Sequence, residues 1–377
     1  MKVGILTFYR VINNGAALQA CATNRIVLKK LGVESELIDY RLPRVEYYRK
    51  PFSIMRALQA KGIKGKVRAF AKECVKYPDN IRRFRLYNMF MGKYLKTSTH
   101  EYCNIEELGK DANNYDAFVV GSDLVWNPLM AEGVNPVYYL DFVEDPNVKK
   151  IAYAPSIGTL DITDAEKRQI SQYLKKFDAI SVREESSRKQ LQELTDKPVH
   201  TVLDPSLLTF EEDWDEFYDQ IPIEKEKYIF AFKLEKSPVL IEVVNKLAKK
   251  ENAIIVAYGS TVGFKARKVK DVSGRMGPSE FLNYIKNASH VVTNSYHGCA
   301  FSIVFHKEFY CIPHSTRGLR MVDLLHMLQI PERLIYTEDI SGIESLNYKK
   351  LDSIRKQYID SSLRYLTDAL FGDIKND

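Results

Sequence analysis

Residues 2–40, "KVGILTFYRVINNGAALQACATNRIVLKKLGVESELIDY", decide the fold. The run "KVGILTF" is short, apolar and uninterrupted, as expected of a strand buried on both faces. Leu18, Ala22, Ile26 and Leu28 then recur at helical spacing, and the pattern stops at Gly32. "ESELIDY" is a second strand. Strand, helix and strand in so short a span make a β-α-β unit, whose strands must pair in parallel.

The same alternation returns further along. "DAFVVGSD", "KKIAYAPSIG", "DAISVR" and "HTVLDPSLL" read as strands, with helices over 164–177 and 185–194 between them. An acidic stretch containing Pro222, "TFEEDWDEFYDQIPIEKEK", breaks the pattern. A second set follows: strand "YIFAFKL", helix 238–250, strand "AIIVAYG", a Gly-rich turn into a helix, strand "VVTN" and strand "EFYCIPHS". The expected architecture is α/β, with two Rossmann-like doubly wound domains and a cleft between them. Residues 1–221 form the first domain and 222–345 the second. A long helix within 346–377 packs back on the first domain.

Residues 41–97 interrupt the alternation and read as a basic helical insertion over one face. From Arg41 to Lys96 there are sixteen Lys or Arg and three Asp or Glu, a net +13. The whole chain carries only +6, so the remainder is −7. Basicity this local fits either a solvated helical face or peripheral contact with an anionic membrane. No zinc finger or RNA-recognition module accompanies it, and no nucleic-acid partner is expected. No apolar run is long enough to span a bilayer. The "MKVGILTFYR" start lacks the features of a signal peptide. Five cysteines without CxxC spacing fit reduced thiols in a cytoplasmic protein.

In doubly wound sheets ligands bind beyond the carboxyl ends of the strands, and four clusters fall there. Asn14 and Gly15 stand at a helix N-terminus, where they serve either as an ordinary cap or as part of an anion site. Gly121, Ser122 and Asp123 end a strand. Trp126 and Asn127 follow them, the Trp belonging either to the core or to a sugar-stacking face. Arg183 ends another strand, placed for a bidentate bond to carboxylate or phosphate or for pairing with its acidic neighbours. In "VVTNSYHGCAF", residues 291–301, Ser295, Tyr296 and His297 stand where strand hands over to helix. A cleft histidine there has its pKa lowered by the helix dipole and raised again by an anionic ligand. The histidines and cysteines lack paired metal-ligand spacing, and there is no GxSxG elbow, GxGxxG or P-loop.

Taken in order, "GILTFYRVINNGAALQA", "FVVGSDLVWNP", "KIAYAPSIG", "SVREESS", "VLDPSLL" and "VVTNSYHGCAFSIVFHKEF" resemble the polysaccharide pyruvyl transferase family. The resemblance runs from residue 4 to about 309. It implies a GT-B-like fold and transfer of pyruvate from phosphoenolpyruvate onto two hydroxyls of one sugar as a cyclic ketal. It implies no further cofactor, and a saccharide acceptor often lipid-linked at the inner face of the membrane. His297 matches the family's motif histidine, as proton donor or phosphate partner. In well-studied members an arginine two residues earlier helps hold the donor; here that position is Ser295. Arg183 is the first substitute, with Lys233, Arg275 and Arg317 in reserve. The alternatives are a glycosyltransferase using a nucleotide-sugar donor in the same cleft, and a non-catalytic relative.

Overall fold

The computed structural model describes residues 1–159, 161–316 and 318–372. Its first sheet has seven strands: β1 (Lys2–Leu6), β2 (Glu34–Tyr40), β3 (Thr97–Tyr102), β4 (Ala117–Val120), β5 (Lys149–Ala152), β6 (Ala179–Val182) and β7 (Val199–Thr201). Their spatial order is β3-β2-β1-β4-β5-β6-β7. The second sheet comprises β8 (Tyr228–Phe232), β9 (Ile254–Tyr258), β10 (Val269–Asp271), β11 (His290–Thr293) and β12 (Glu308–Cys311), in the order β10-β9-β8-β11-β12. Neighbouring strands in both sheets pair in parallel. Helices cover both faces, so central strands such as β4 and β8 are buried at every residue.

The connecting helices start where local chemistry satisfies their free N–H groups. Thr163 and Glu166 make a reciprocal capping box at the helix Asp164–Leu174. Ser237 caps Pro238–Lys250, which opens with proline at its first turn, where the missing N–H costs nothing.

The basic segment lies between two strands of the first sheet. It forms helices Pro43–Arg49, Ile54–Leu58 and Gly62–Tyr94, the last 33 residues long, and leads into β3. It is therefore the crossover from β2 to β3. The reading of the sequence missed β3 because "TSTHEY" is a polar edge strand, with four of its six residues partly or fully exposed.

The last helix, Tyr348–Phe371, crosses from the second sheet to the first. Near its start the Tyr348 hydroxyl donates to Lys307 O at 2.5 Å, beside β12. Leu351, Arg355, Ile359, Ser362, Leu366 and Leu370 are buried, a stripe at intervals of three or four residues. Leu203 N–H donates to the Ser362 hydroxyl at 3.0 Å, and the Tyr365 hydroxyl donates to Ala152 O at 3.0 Å. The helix thus staples the two sheets together. Among the described residues no helix is long and apolar enough to cross a membrane.

Candidate active site

Each sheet reverses its winding once, between β1 and β4 in the first and between β8 and β11 in the second. Such a reversal splays the following loops apart and leaves a crevice. The two crevices open onto one cavity of about 150 Å³. Phe8, Val11 and Asn13 reach it after β1, Asp123 and Leu124 after β4, Leu234 after β8, and Asn294, Ser295, Tyr296 and His297 after β11. His314, Arg320 and Met321 close the remaining side.

His297 lies in the first turn of the helix Tyr296–Val304, with Ser295 as cap. The side chain is buried, and its Nε2 has no hydrogen-bond partner. Asp204 Oδ2 stands 3.9 Å from that nitrogen, beyond hydrogen-bonding reach but close enough to favour an imidazolium. Burial holds the His297 pKa below its ordinary value. The Asp204 and Asp123 charges oppose that shift, while Arg183 and Arg320 reinforce it. Gly15 packs directly on the ring: a Cβ there would stand 2.1 Å from His297 Nδ1. This close approach accounts for the glycine.

Beneath His297 lies a polar cluster. Asp204 is fully buried and accepts from the Arg183 Nη1 at 2.9 Å, the Ser122 hydroxyl at 2.8 Å, and the Ser206 N–H and hydroxyl at 3.0 and 2.6 Å. Burial alone would raise its pKa. The charges of His297 and Arg183 and the bonds from Ser206 outweigh that and hold the carboxyl at about 2. Arg183 lies under the Tyr296 ring, its guanidinium carbon 4.4 Å from the ring centroid, and only 1% of its side chain is exposed. The acidic neighbours hold the Arg183 cation: Asp204 by hydrogen bond, Glu184 at 3.6 Å and Asp123 at 4.0 Å. Arg183 therefore supports the cavity from behind and is not part of its lining.

The cation in the lining is Arg320, at the start of the helix Leu319–Met327. Its guanidinium lies 5.8 Å from the Tyr296 centroid and 3.9 Å from Asp123 Oδ1. It lines the same cavity as Ser295, so a cation reaches this pocket from another helix. The sequence offered little to single it out from Arg317, three residues earlier, which lies outside the described residues. Asp204 was visible as an Asp-Pro strand exit, but nothing local showed that it would meet Arg183.

Other expected residues serve the scaffold. Asn13, not Asn14, caps the helix Asn14–Cys21, accepting from Gly15 N–H at 2.9 Å and Ala16 N–H at 3.3 Å. Asn14 accepts instead from the Tyr87 hydroxyl of the long helix. Gly121, at φ 115°, lies so near β5 that a Cβ would stand 2.2 Å from Tyr153 O. Ser122 is consumed by the Asp204 cluster. Trp126 is no sugar platform: it is 1% exposed, stacked on Tyr139 at 5.0 Å, with its indole N–H donated to Tyr138 O. Asn127 ties the same loop to Ile157 O. Lys233 is buried beside Phe264 and its pKa is lowered by that burial, but it does not line the cavity. Arg275 is exposed in the turn before the helix Pro278–Asn287. No cluster of three or more His, Cys, Asp or Glu able to hold a metal is present among the described residues.

Two Rossmann-type sheets, a shared cavity at their switch points and a C-terminal helix returning to the first sheet define a GT-B-like α/β fold. UDP-GlcNAc 2-epimerase from Methanocaldococcus jannaschii superposes with a TM-score of 0.51 at 11% identity, over 99% of this chain and 100% of that one. Arabidopsis thaliana UGT89C1 complexed with UDP-L-rhamnose gives 0.50 at 10% identity, over 98% of each chain. A putative UDP-N-acetylglucosamine 2-epimerase from Listeria monocytogenes gives 0.51 at 12%, over 98% and 91%. No curated protein matches the sequence. The chain belongs to the polysaccharide pyruvyl transferase family, whose model matches residues 13–316, from the Asn13 cap to the loop before Arg320. The protein is accordingly a transferase.

Proposed function

We propose that the protein transfers the pyruvyl group of phosphoenolpyruvate to two hydroxyls of a sugar, forming a cyclic ketal and releasing phosphate. The observation that carries this reading is the unpartnered, buried Nε2 of His297 in a small cavity with Arg320. A cavity of about 150 Å³ is tight beside the roughly 300–1,000 Å³ typical of pockets for drug-sized ligands. That volume suits a compact multivalent acid; a nucleotide sugar is the donor of the alternative glycosyltransferase reading.

Arg320 supplies the fork for the donor's carboxylate or phosphate, in place of an arginine at Ser295. Arrival of the anion opposes the burial effect on His297 and draws a proton onto its imidazole, with Asp204 behind it. His297 then donates that proton to the methylene carbon, and the neighbouring carbon becomes cation-like. One sugar hydroxyl adds there and gives up its proton. The carbon–oxygen bond to phosphate breaks, and the second hydroxyl closes the ring. One proton ends in the new methyl group, one leaves with phosphate, and His297 returns to its starting state. The acceptor is a surface polysaccharide or its lipid-linked precursor at the inner membrane face, approached through residues 41–96.

Ligand stabilisation tests the donor. Phosphoenolpyruvate should raise the melting temperature, and uridine diphosphate should not. Phosphate should be released only with a sugar acceptor present. No shift and no phosphate with any acceptor would end the reading, and stabilisation by uridine diphosphate alone would transfer it to the glycosyltransferase class.

A further inference from the structure

The long helix Gly62–Tyr94 has two unlike halves. Its second half is bound into the body near the cavity: the Tyr87 hydroxyl donates to Asn14, and the Arg83 guanidinium lies 5.5 Å from the Tyr258 ring centroid. The helix therefore touches both the helix that follows β1 and the end of β9. The first half stands away from them and is exposed. Among the described residues, nine of the twenty exposed large apolar side chains fall between Tyr48 and Tyr77. Ile63 is 83% exposed, Val75 80%, Val67 64% and Met55 61%. Such clustering is unusual for a surface that meets only water.

Spacing and charge say what covers this surface. Ile63, Val67, Phe70, Cys74 and Tyr77 follow at intervals of four and three residues, one stripe of a helix. Phe52 packs edge-on against Phe70 and Tyr77, at 6.0 and 5.9 Å, and so ties the preceding segment to the stripe. Helix Ile54–Leu58 adds its own exposed Ile54, Met55 and Leu58. Residues 61–77 carry six Lys or Arg and one Glu: Lys64 and Lys66 flank the stripe, while Lys61, Arg68, Lys72 and Lys76 fall on the opposite, polar face. An apolar stripe flanked by lysines is the pattern of a helix lying in the headgroup boundary of a bilayer. A second copy is a poor occupant, because the same +13 segment would face itself.

We propose that the hairpin of Ile54–Leu58 and the first half of Gly62–Tyr94 docks on an anionic lipid bilayer. Its apolar stripe enters the headgroup boundary, and the flanking Lys64 and Lys66 face the lipid phosphates. Val67 lies twenty residues before Tyr87, roughly 30 Å along the helix axis, so docking holds the cavity near the bilayer surface. Delivery of a lipid-linked acceptor by this device rests on the transferase reading, whereas the docking does not.

The test is sedimentation of the full chain with vesicles, without phosphoenolpyruvate. Binding is expected to vesicles of phosphatidylglycerol and phosphatidylcholine, to weaken sharply between about 0.1 and 1 M salt, and to vanish on phosphatidylcholine alone. Lys64→Glu and Lys66→Glu should each weaken binding at least about fivefold. Ile63→Glu with Val67→Glu should weaken it more than tenfold while leaving the melting temperature and phosphate release on a soluble acceptor unchanged. Equal binding to both vesicle types, or full binding by the double variant, overturns the proposal. So does a dimer in vesicle-free solution that the double variant converts to monomer, which would assign the surface to a second copy. Failure of the transferase reading leaves vesicle binding untouched, and failure of docking leaves phosphate release untouched.

Discussion

The carboxyl edges of the two sheets face one cavity but treat charge differently. At the edge of the first, Arg183, Asp204 and Ser122 are bonded to one another and closed off from solvent. At the edge of the second, His297 presents an Nε2 with no hydrogen-bond partner. Buried polar groups are ordinarily satisfied, because each unpaired one costs about 1–3 kcal/mol. Arg183 also keeps Nε and Nη2 without hydrogen bonds, but it lies closed off behind Tyr296, whereas His297 lines the cavity. The first edge is thus the foundation and the second the working surface.

The contrast is sharpest at His297. His297→Ala should lower kcat by about 10²–10⁴-fold, the usual contribution of a general acid, with the fold intact by circular dichroism. Full turnover by a folded variant would erase the distinction between the edges. Next comes Asp204→Ala, which removes the carboxylate hydrogen-bonded to the buried Arg183 cation. Urea denaturation should show a loss of about 3–5 kcal/mol. A near-neutral result would mean that the first edge is not a foundation. Gly15→Ala acts on the imidazole from its other side. Its Cβ would meet Nδ1 at 2.1 Å, so the ring must move. A displacement of about 1 Å corresponds to a loss of about 10²-fold in kcat, and KM should change far less.

The smallest effect is in pH. The folded His297 pKa lies below its ordinary 6.5, so the unfolded chain takes up that proton first on acidification. Its contribution to the stability of the unliganded protein is therefore present above about pH 6.5 and is lost as pH falls below it. Asp204 has the same sign at lower pH: its contribution is present above about 3.9 and is lost as pH falls toward about 2. Melting temperatures from pH 7 to 5 should decline less steeply in His297→Asn. His290, also held low by burial, supplies a residual slope. Identical slopes in the two proteins would contradict the buried, neutral imidazole.

Much of this was readable from local pattern. Strands buried on both faces announce themselves as apolar runs, so β1, β4, β8 and β11 stand out, and with them the loops that carry Asp123 and His297. β3 and β10 do not, because an edge strand such as "TSTHEY" or the three-residue "VKD" lacks that run. Trp126 shows the same limit from the other side: a Trp near a polar loop has one sequence and two environments, and Tyr139 decides for the core. Arg320 lies 25 residues beyond Ser295 in the chain, yet both line one cavity.

The sequence by itself determined the α/β alternation, the two sets of strands, the strand-end histidine and the concentration of positive charge over 41–96. Each follows from short-range periodicity or composition, which a chain carries before it folds. Strand order, the meeting of two switch points at one cavity, the burial of Arg183 under Tyr296 and the approach of Arg320 were decided only in the tertiary structure. Those depend on which loops become neighbours across the sheets, and side-chain partnership there is set by packing through space rather than by spacing along the chain.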